Sequence, residues 1–190
     1  VKKICNVLIL ILLLSAGQVS ALDRCLKYKD FVVRHSRYFF GLNAPVHYFM
    51  GQVEQESRCN EGITAFDGGI GLMQLMPATV KQIQGDWMVQ FSPYSPEWNI
   101  RAGIYWDKQN LGWVLCKDYY FMFRAYNGGA GNLNKEIRNA GSCKWDDVEK
   151  KCKRGGVYYV GKNYVDFCTV NIRYPYLIFK KSERYRIVWK

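Results

Sequence analysis

Near its N-terminus the chain carries an uncharged, almost wholly apolar run, Ile4 to Leu14, interrupted only by Asn6. Lys2 and Lys3 precede it, and a small, polar stretch from Ser15 follows, ending Val19-Ser20-Ala21. A short basic segment, an apolar core and a small-x-small end form the layout of a secretory signal peptide. The run is shorter than the ~20 residues a membrane-spanning helix needs, so residues 1–21 read as a cleaved leader and leave no stable anchor. The mature chain then starts at Leu22 and folds outside the cytoplasm, in the periplasm or the extracellular medium.

Export governs how the cysteines are read. Beyond Cys5 there are six: Cys25, Cys59, Cys116, Cys143, Cys152 and Cys168. An even set in an oxidising compartment reads as three disulfides with no free thiol, and spacing alone leaves the connectivity open. The pairing expected is Cys143 with Cys152 around a charged loop, Cys25 with Cys168 at the two ends, and Cys59 with Cys116. No C-x-x-C pair and no H-E-x-x-H motif is present, and there are only two histidines, so no metal and no cofactor is expected. His35 and His47 have no partner pattern and read as structural or surface residues.

At 190 residues the chain suits one domain, and 49% hydrophobic with 23% charged residues is ordinary globular composition. A net charge of +11 points to a polyanionic partner. The basic and aromatic stretch 174–190 reads first as a solvated strand or helix with its apolar side docked, and second as a grip on an anionic cell wall or membrane surface. Export argues against nucleic acid.

The pattern between turns is helical. Val46, Phe49, Met50 and Val53 recur at i, i+3, i+4 and i+7 behind Pro45. Pro77 opens a short helix through Ile83. Asn99 is the expected N-cap of a helix over Ile100 to Leu111, and Trp113 to Tyr126 reads as an apolar helix ending at Gly128. Val157 to Val170 fits helix or strand. Ile63 to Met76 has room for a small β-hairpin around its glycines. The fold class is mostly α in a single domain, residues 22–190.

Four strings carry chemistry: Glu56-Ser57 at the end of the Pro45 helix, Gly71-Leu72-Met73-Gln74-Leu75-Met76-Pro77, Asn99-Ile100-Arg101-Ala102-Gly103, and Ala125-Tyr126-Asn127-Gly128-Gly129-Ala130-Gly131. Alone, each is a solvated acid, a turn or a helix cap. Together, in this order, they resemble the soluble lytic transglycosylases of bacteria over roughly residues 44–133, with a weaker echo at Asn163-Tyr164-Val165. The resemblance implies a lysozyme-like domain that cleaves the β-1,4 bond between N-acetylmuramic acid and N-acetylglucosamine in peptidoglycan. It implies that the muramyl C6 hydroxyl attacks C1 and leaves 1,6-anhydro ends. It gives Glu56 the role of acid and then base, and lines the cleft with Ser57, Gln74, Met76, Tyr126 and Asn127.

Physical reasoning supports one acid. A general acid near neutral pH needs a raised pKa, from burial or the negative end of a helix dipole. Helical periodicity puts Glu56 about 70° and Glu54 about 90° from the apolar centre, which does not choose between them. The family register chooses Glu56 and leaves Glu54 as a solvated acid. Tyr126 and Asn127 offer a hydroxyl and an amide to orient the substrate acetamide, which substrate-assisted glycosidases use to stabilise positive charge.

Two departures stand out: Ala65 where many members carry Ser, and Val160 where a Glu is familiar. Two other functions stay open. Asp67 in the glycine loop reads as a turn residue, but if it positioned a water the reaction would be hydrolysis, as in a goose-type lysozyme. In the other, the chain serves without catalysis as a wall-binding part of a secretion-system or cell-envelope complex.

Overall fold

The computed structural model describes the backbone of residues 24–153, 157–160 and 163–186. The expected leader, Gly155-Gly156 and the last residues 187–190 lie outside it. The fold is mostly helical: α1 Lys29–Phe40, α2 Val46–Ser57, α3 Pro77–Trp87, α4 Pro96–Trp113, α5 Tyr119–Gly128, α6 Ala130–Ala140, α7 Trp145–Glu149, then strands β1 Val157–Val160 and β2 Asn163–Asp166, and α8 Phe167–Arg186. Among the described residues no helix is long and apolar enough to cross a membrane.

Prolines start three of these helices. Pro45 stands at the N-cap of α2, while Pro77 and Pro96 open α3 and α4. At a first turn their fixed φ suits the helix, and the N–H they lack would have had no partner. Asp118 caps α5, its carboxylate accepting the Phe121 N–H at 2.9 Å.

The differences from the sequence reading are local. Asn99 is not a cap. Helix α4 begins three residues earlier, and Asn99 lies inside it, buried, with its amide turned away from its own backbone. The apolar stretch from Trp113 is broken at residues 114–118 and resumes as α5. The 157–170 segment divides into an antiparallel hairpin, Val157 opposite Asp166, and the start of α8. The glycine loop holds only two isolated bridges, Thr64 to Ile70 and Ile70 to Leu75.

Helix α2 runs through the main core. Phe49, Met50 and Val53 are fully buried with Ile178 and Tyr185 of α8 and with Leu72, Met73 and Leu75 of the glycine loop. The α2–α8 approach is close enough to need glycine. A Cβ at Gly51 would lie 2.7 Å from the Ile178 carbonyl oxygen and 2.9 Å from the Ser182 nitrogen, both backbone atoms. Gly51→Ala is therefore expected to destabilise the protein by about 2–3 kcal/mol. A thermal melt should register this as a fall in Tm of roughly 4–10 °C; an unchanged Tm would show that the helices separate freely.

Among the described residues three disulfides are present, but the pairing differs from the expected one: Cys25–Cys59, Cys116–Cys143 and Cys152–Cys168. The charged 142–153 loop is not closed by a crosslink of its own. Instead it forms α7, which buries Val148 and stacks Trp145 on Tyr120 at 4.3 Å. Its two cysteines face different neighbours. Cys143 meets the loop after α4, and Cys152 meets the start of α8.

Candidate active site

The site forms where the end of α2, the glycine loop and the end of α5 converge. Glu56 is the next-to-last residue of α2, which stops at Arg58 in a left-handed conformation. The glycine loop is held by its own backbone, with Ala65 N–H donating to Gly69 O and Gly71 N–H to Ile63 O, both at 2.8 Å.

Asn99 fastens this loop to α4. Its Nδ2 donates to Ile70 O at 2.9 Å and Pro93 O at 2.7 Å, while its Oδ1 accepts from Met73 N–H at 2.7 Å. Gly71 makes room for it: φ is +72°, and a Cβ there would stand 2.6 Å from the Asn99 nitrogen.

One cavity of about 190 Å³ is lined by Glu56, Ala65, Asp67, Gly69, Gln74, Met76, Tyr126 and Asn127. It unites every site residue expected from sequence except Ser57. Ser57 is buried and turns its hydroxyl back to Val53 O at 3.2 Å. Gln74, at φ +48°, donates to Gly71 O at 2.8 Å. Tyr126 donates its hydroxyl proton to Met73 O at 2.6 Å, so its oxygen is left only to accept. Asn127 Oδ1 accepts from Asn171 Nδ2 at 3.0 Å, which aims the Asn127 nitrogen away from that partner.

The Glu56 carboxyl is pushed up to about 8. Burial is the main cause; a hydrogen bond from the Tyr174 hydroxyl to Glu56 Oε1 opposes it, and the negative charge of Asp67 adds to it. Asp67 itself makes the expected turn, its Oδ1 accepting Gly69 N–H at 3.2 Å, yet its side chain borders the cavity. Behind the site lies a second acid, Asp107, fully buried on α4. Burial holds its carboxyl well above the ordinary range, against a 3.1 Å bond from Gln52 Nε2, and the Glu56 charge raises it further.

Glu54 is not the solvated acid expected. It faces α8, 3.1 Å from the Arg184 guanidinium, and accepts the Tyr185 hydroxyl at 2.7 Å. Sequence reasoning missed Tyr174, Asn171 and Asp107 as neighbours of the site. The first two sit on α8, far along the chain from Glu56 and outside any motif. Asp107 had one signal, an acid on the inward side of an apolar helix.

The sequence pattern of one family, the transglycosylase SLT domain, matches residues 42–148. The 70 kDa soluble lytic transglycosylase of Escherichia coli has a similar fold, with a TM-score of 0.66 at 23% identity over 85% of this chain and 24% of that one. The same kind of enzyme in complex with bulgecin A aligns at a TM-score of 0.67 and 22% identity, over 86% of this chain and 25% of that one. An inactive mutant of the Pseudomonas aeruginosa lytic transglycosylase Slt aligns at 0.66 and 18%, over 83% and 24%. The chain thus spans about a quarter of the length of these enzymes. No curated protein matches by sequence.

Proposed function

The chain belongs to the transglycosylase SLT domain family, and on that premise we propose that it is a peptidoglycan lytic transglycosylase with Glu56 as its acid and base. The observation that carries this reading is a carboxyl raised to about 8 in a cavity shared with Tyr126 and Asn127. Protonated at neutral pH, Glu56 gives its proton to the glycosidic oxygen, and the bond from that oxygen to the muramyl C1 breaks. The substrate acetamide shields the positive charge at C1. Tyr126 accepts the acetamide N–H, and the Asn127 nitrogen donates to its oxygen. Glu56, now a carboxylate, takes the proton from the C6 hydroxyl as that oxygen bonds to C1. No water is consumed. Gln74 and Met76 border the same sugar. Such a substrate places the enzyme outside the cytoplasm, consistent with the leader read from residues 1–21.

Asp67 on the cavity wall supports a second reading, in which a water attacks C1 and the product is a reducing end. Digesting purified peptidoglycan and weighing the muropeptides tests both. Anhydro ends, lighter by one water, are expected. Reducing ends alone would replace transglycosylation with hydrolysis, and no release at all would favour a non-catalytic wall-binding role.

Activity should fall as pH rises through about 8, where Glu56 loses the proton it must donate. The Tyr174 hydrogen bond favours the carboxylate, so Tyr174→Phe is expected to move this alkaline limb to higher pH. A profile of kcat/KM from pH 6 to 10 for both proteins measures it. A limb that stays put in the variant would separate Tyr174 from the titration.

A further inference from the structure

Away from the glycine loop, a cavity of about 230 Å³ opens between α1 and α4, lined by Arg34, His35 and Tyr38 of α1 and Arg101 of α4. Asn99 and Gly103, which meet Met73 of the glycine loop, stand two positions either side of Arg101 and so about 160° round the helix from it. The cavity shares no lining residue with the one at Glu56. Among the described residues two guanidiniums line it and no carboxylate does.

Arg101 is fixed in place with its donors unspent. Its guanidinium lies over two indoles, 5.0 Å from the ring of Trp87 and 5.1 Å from that of Trp98. Trp98 is itself stacked on Phe91, ring centroids 5.4 Å apart. Stacking of this kind holds the plane of the guanidinium and uses none of its N–H groups. The acid one turn earlier on α4 is Glu97, the usual partner for an arginine at that spacing. Glu97 turns to α1 instead, 2.6 Å from Arg34 Nη1 and 3.4 Å from Nε2 of the buried His35. Among the described residues Arg101 therefore has no hydrogen bond or ion pair, only its two aromatic contacts. A half-buried guanidinium with free donors beside a cavity is equipped for an oxyanion.

The donors come from two helices, Arg101 on α4 and Arg34 and Tyr38 on α1. A flat carboxylate is satisfied by one guanidinium fork, whereas a tetrahedral oxyanion has oxygens for two. The volume holds more than a bare phosphate. The Tyr38 ring, 73% exposed, offers a surface to the organic part of an ester.

We propose that this cavity binds a phosphate ester, carried by a lipid headgroup or by a soluble molecule, with Arg101 and Arg34 gripping the phosphate. The site stands apart from the glycan reading, and both cavities can be filled at once.

The test is calorimetric titration with glycerol 3-phosphate, paired with co-sedimentation on vesicles of phosphatidylglycerol or of phosphatidylcholine at physiological ionic strength. Because the chain carries a net charge of +11, a charge-matched control is included: Arg138→Gln removes an exposed cation from α6. Arg101→Gln is expected to weaken binding about tenfold, the loss of a charged, forked contact, and Arg138→Gln to change it little. Arg101→Lys keeps the charge but not the fork and should restore only part of the affinity. Arg34→Gln gives the same information if Arg101→Gln does not fold. A loss seen with glycerol 3-phosphate supports a soluble ester, and one confined to phosphatidylglycerol vesicles supports a headgroup; either sustains the site. Binding that falls no further in Arg101→Gln than in Arg138→Gln overturns it, since net charge then accounts for the attraction. Failure of the unmodified protein to bind either probe overturns it as well.

Discussion

Glu56→Gln is expected to reduce muropeptide release by roughly 10³-fold or more. The amide has the size of the carboxyl but no proton acidic enough to give to a leaving oxygen. The fold should survive, because Gln Oε1 can accept the Tyr174 hydroxyl as Glu56 does. Stability should rise with pH relative to the unmodified protein. A glutamate normally titrates near 4.5, and Glu56 in the fold titrates at about 8. Between those values the native state binds the proton that the unfolded chain releases, so the unmodified protein loses stability as pH rises through that window. Glutamine removes the loss. Equal Tm at pH 4 and a higher Tm for the variant at pH 9 are expected. A folded Glu56→Gln protein that still degrades peptidoglycan at an undiminished rate would sink the one-acid mechanism. Glu54→Gln should leave the rate nearly intact, since Glu54 faces α8 and its basic residues.

Arg124→Ala is expected to cost about 3–5 kcal/mol of stability. Arg124 is fully buried on α5 and donates to Glu136 Oε2 at 2.7 Å and to Asn171 Oδ1 at 3.1 Å. Removing it takes from the buried Glu136 the guanidinium 2.7 Å away. It also takes from Asn171 Oδ1 the guanidinium that orients this amide, whose nitrogen bonds the residue-124 carbonyl at 2.8 Å and Asn127 at 3.0 Å. Substrate binding should weaken along with the fold. Denaturant unfolding measures the first and KM the second. Replacing Arg124 by Met together with Glu136 by Leu should restore much of the stability, because no charge is then left buried. A loss below about 1 kcal/mol for Arg124→Ala would mean that Glu136 finds other compensation.

The legible part of this protein was its short-range grammar. Prolines before apolar periodicity marked α2 and α3, and the motif strings marked the cleft residues because each string is a contiguous piece of its wall. Long-range contacts were not legible in the same way. Asn99 reads as a cap in one dimension. In space two of its three side-chain hydrogen bonds hold the glycine loop, a role set by a loop more than twenty residues earlier in the chain. Tyr174 lay in a stretch read for charge and aromatic content, and nothing local ties it to Glu56. Ser57 shows the converse: the resemblance lines the cleft with it beside Glu56, but one step along a helix turns a side chain by about 100°, and the Ser57 hydroxyl faces Val53 O. The cysteine pairing failed for the same reason, since charge content hid the stacking ability of Trp145.

The disulfide connectivity bears on the order of biogenesis. Among the described residues each bridge joins a cysteine to the next one along the chain, 25 to 59, 116 to 143 and 152 to 168, and none of the three loops encloses part of another. For a chain that emerges into an oxidising space N-terminus first, each thiol meets its proper partner before any later thiol has appeared. Simple sequential oxidation therefore reaches the native pairing, without a step of thiol–disulfide exchange to undo wrong pairs. A chain reduced and unfolded whole has no such ordering, since all six thiols then compete at once.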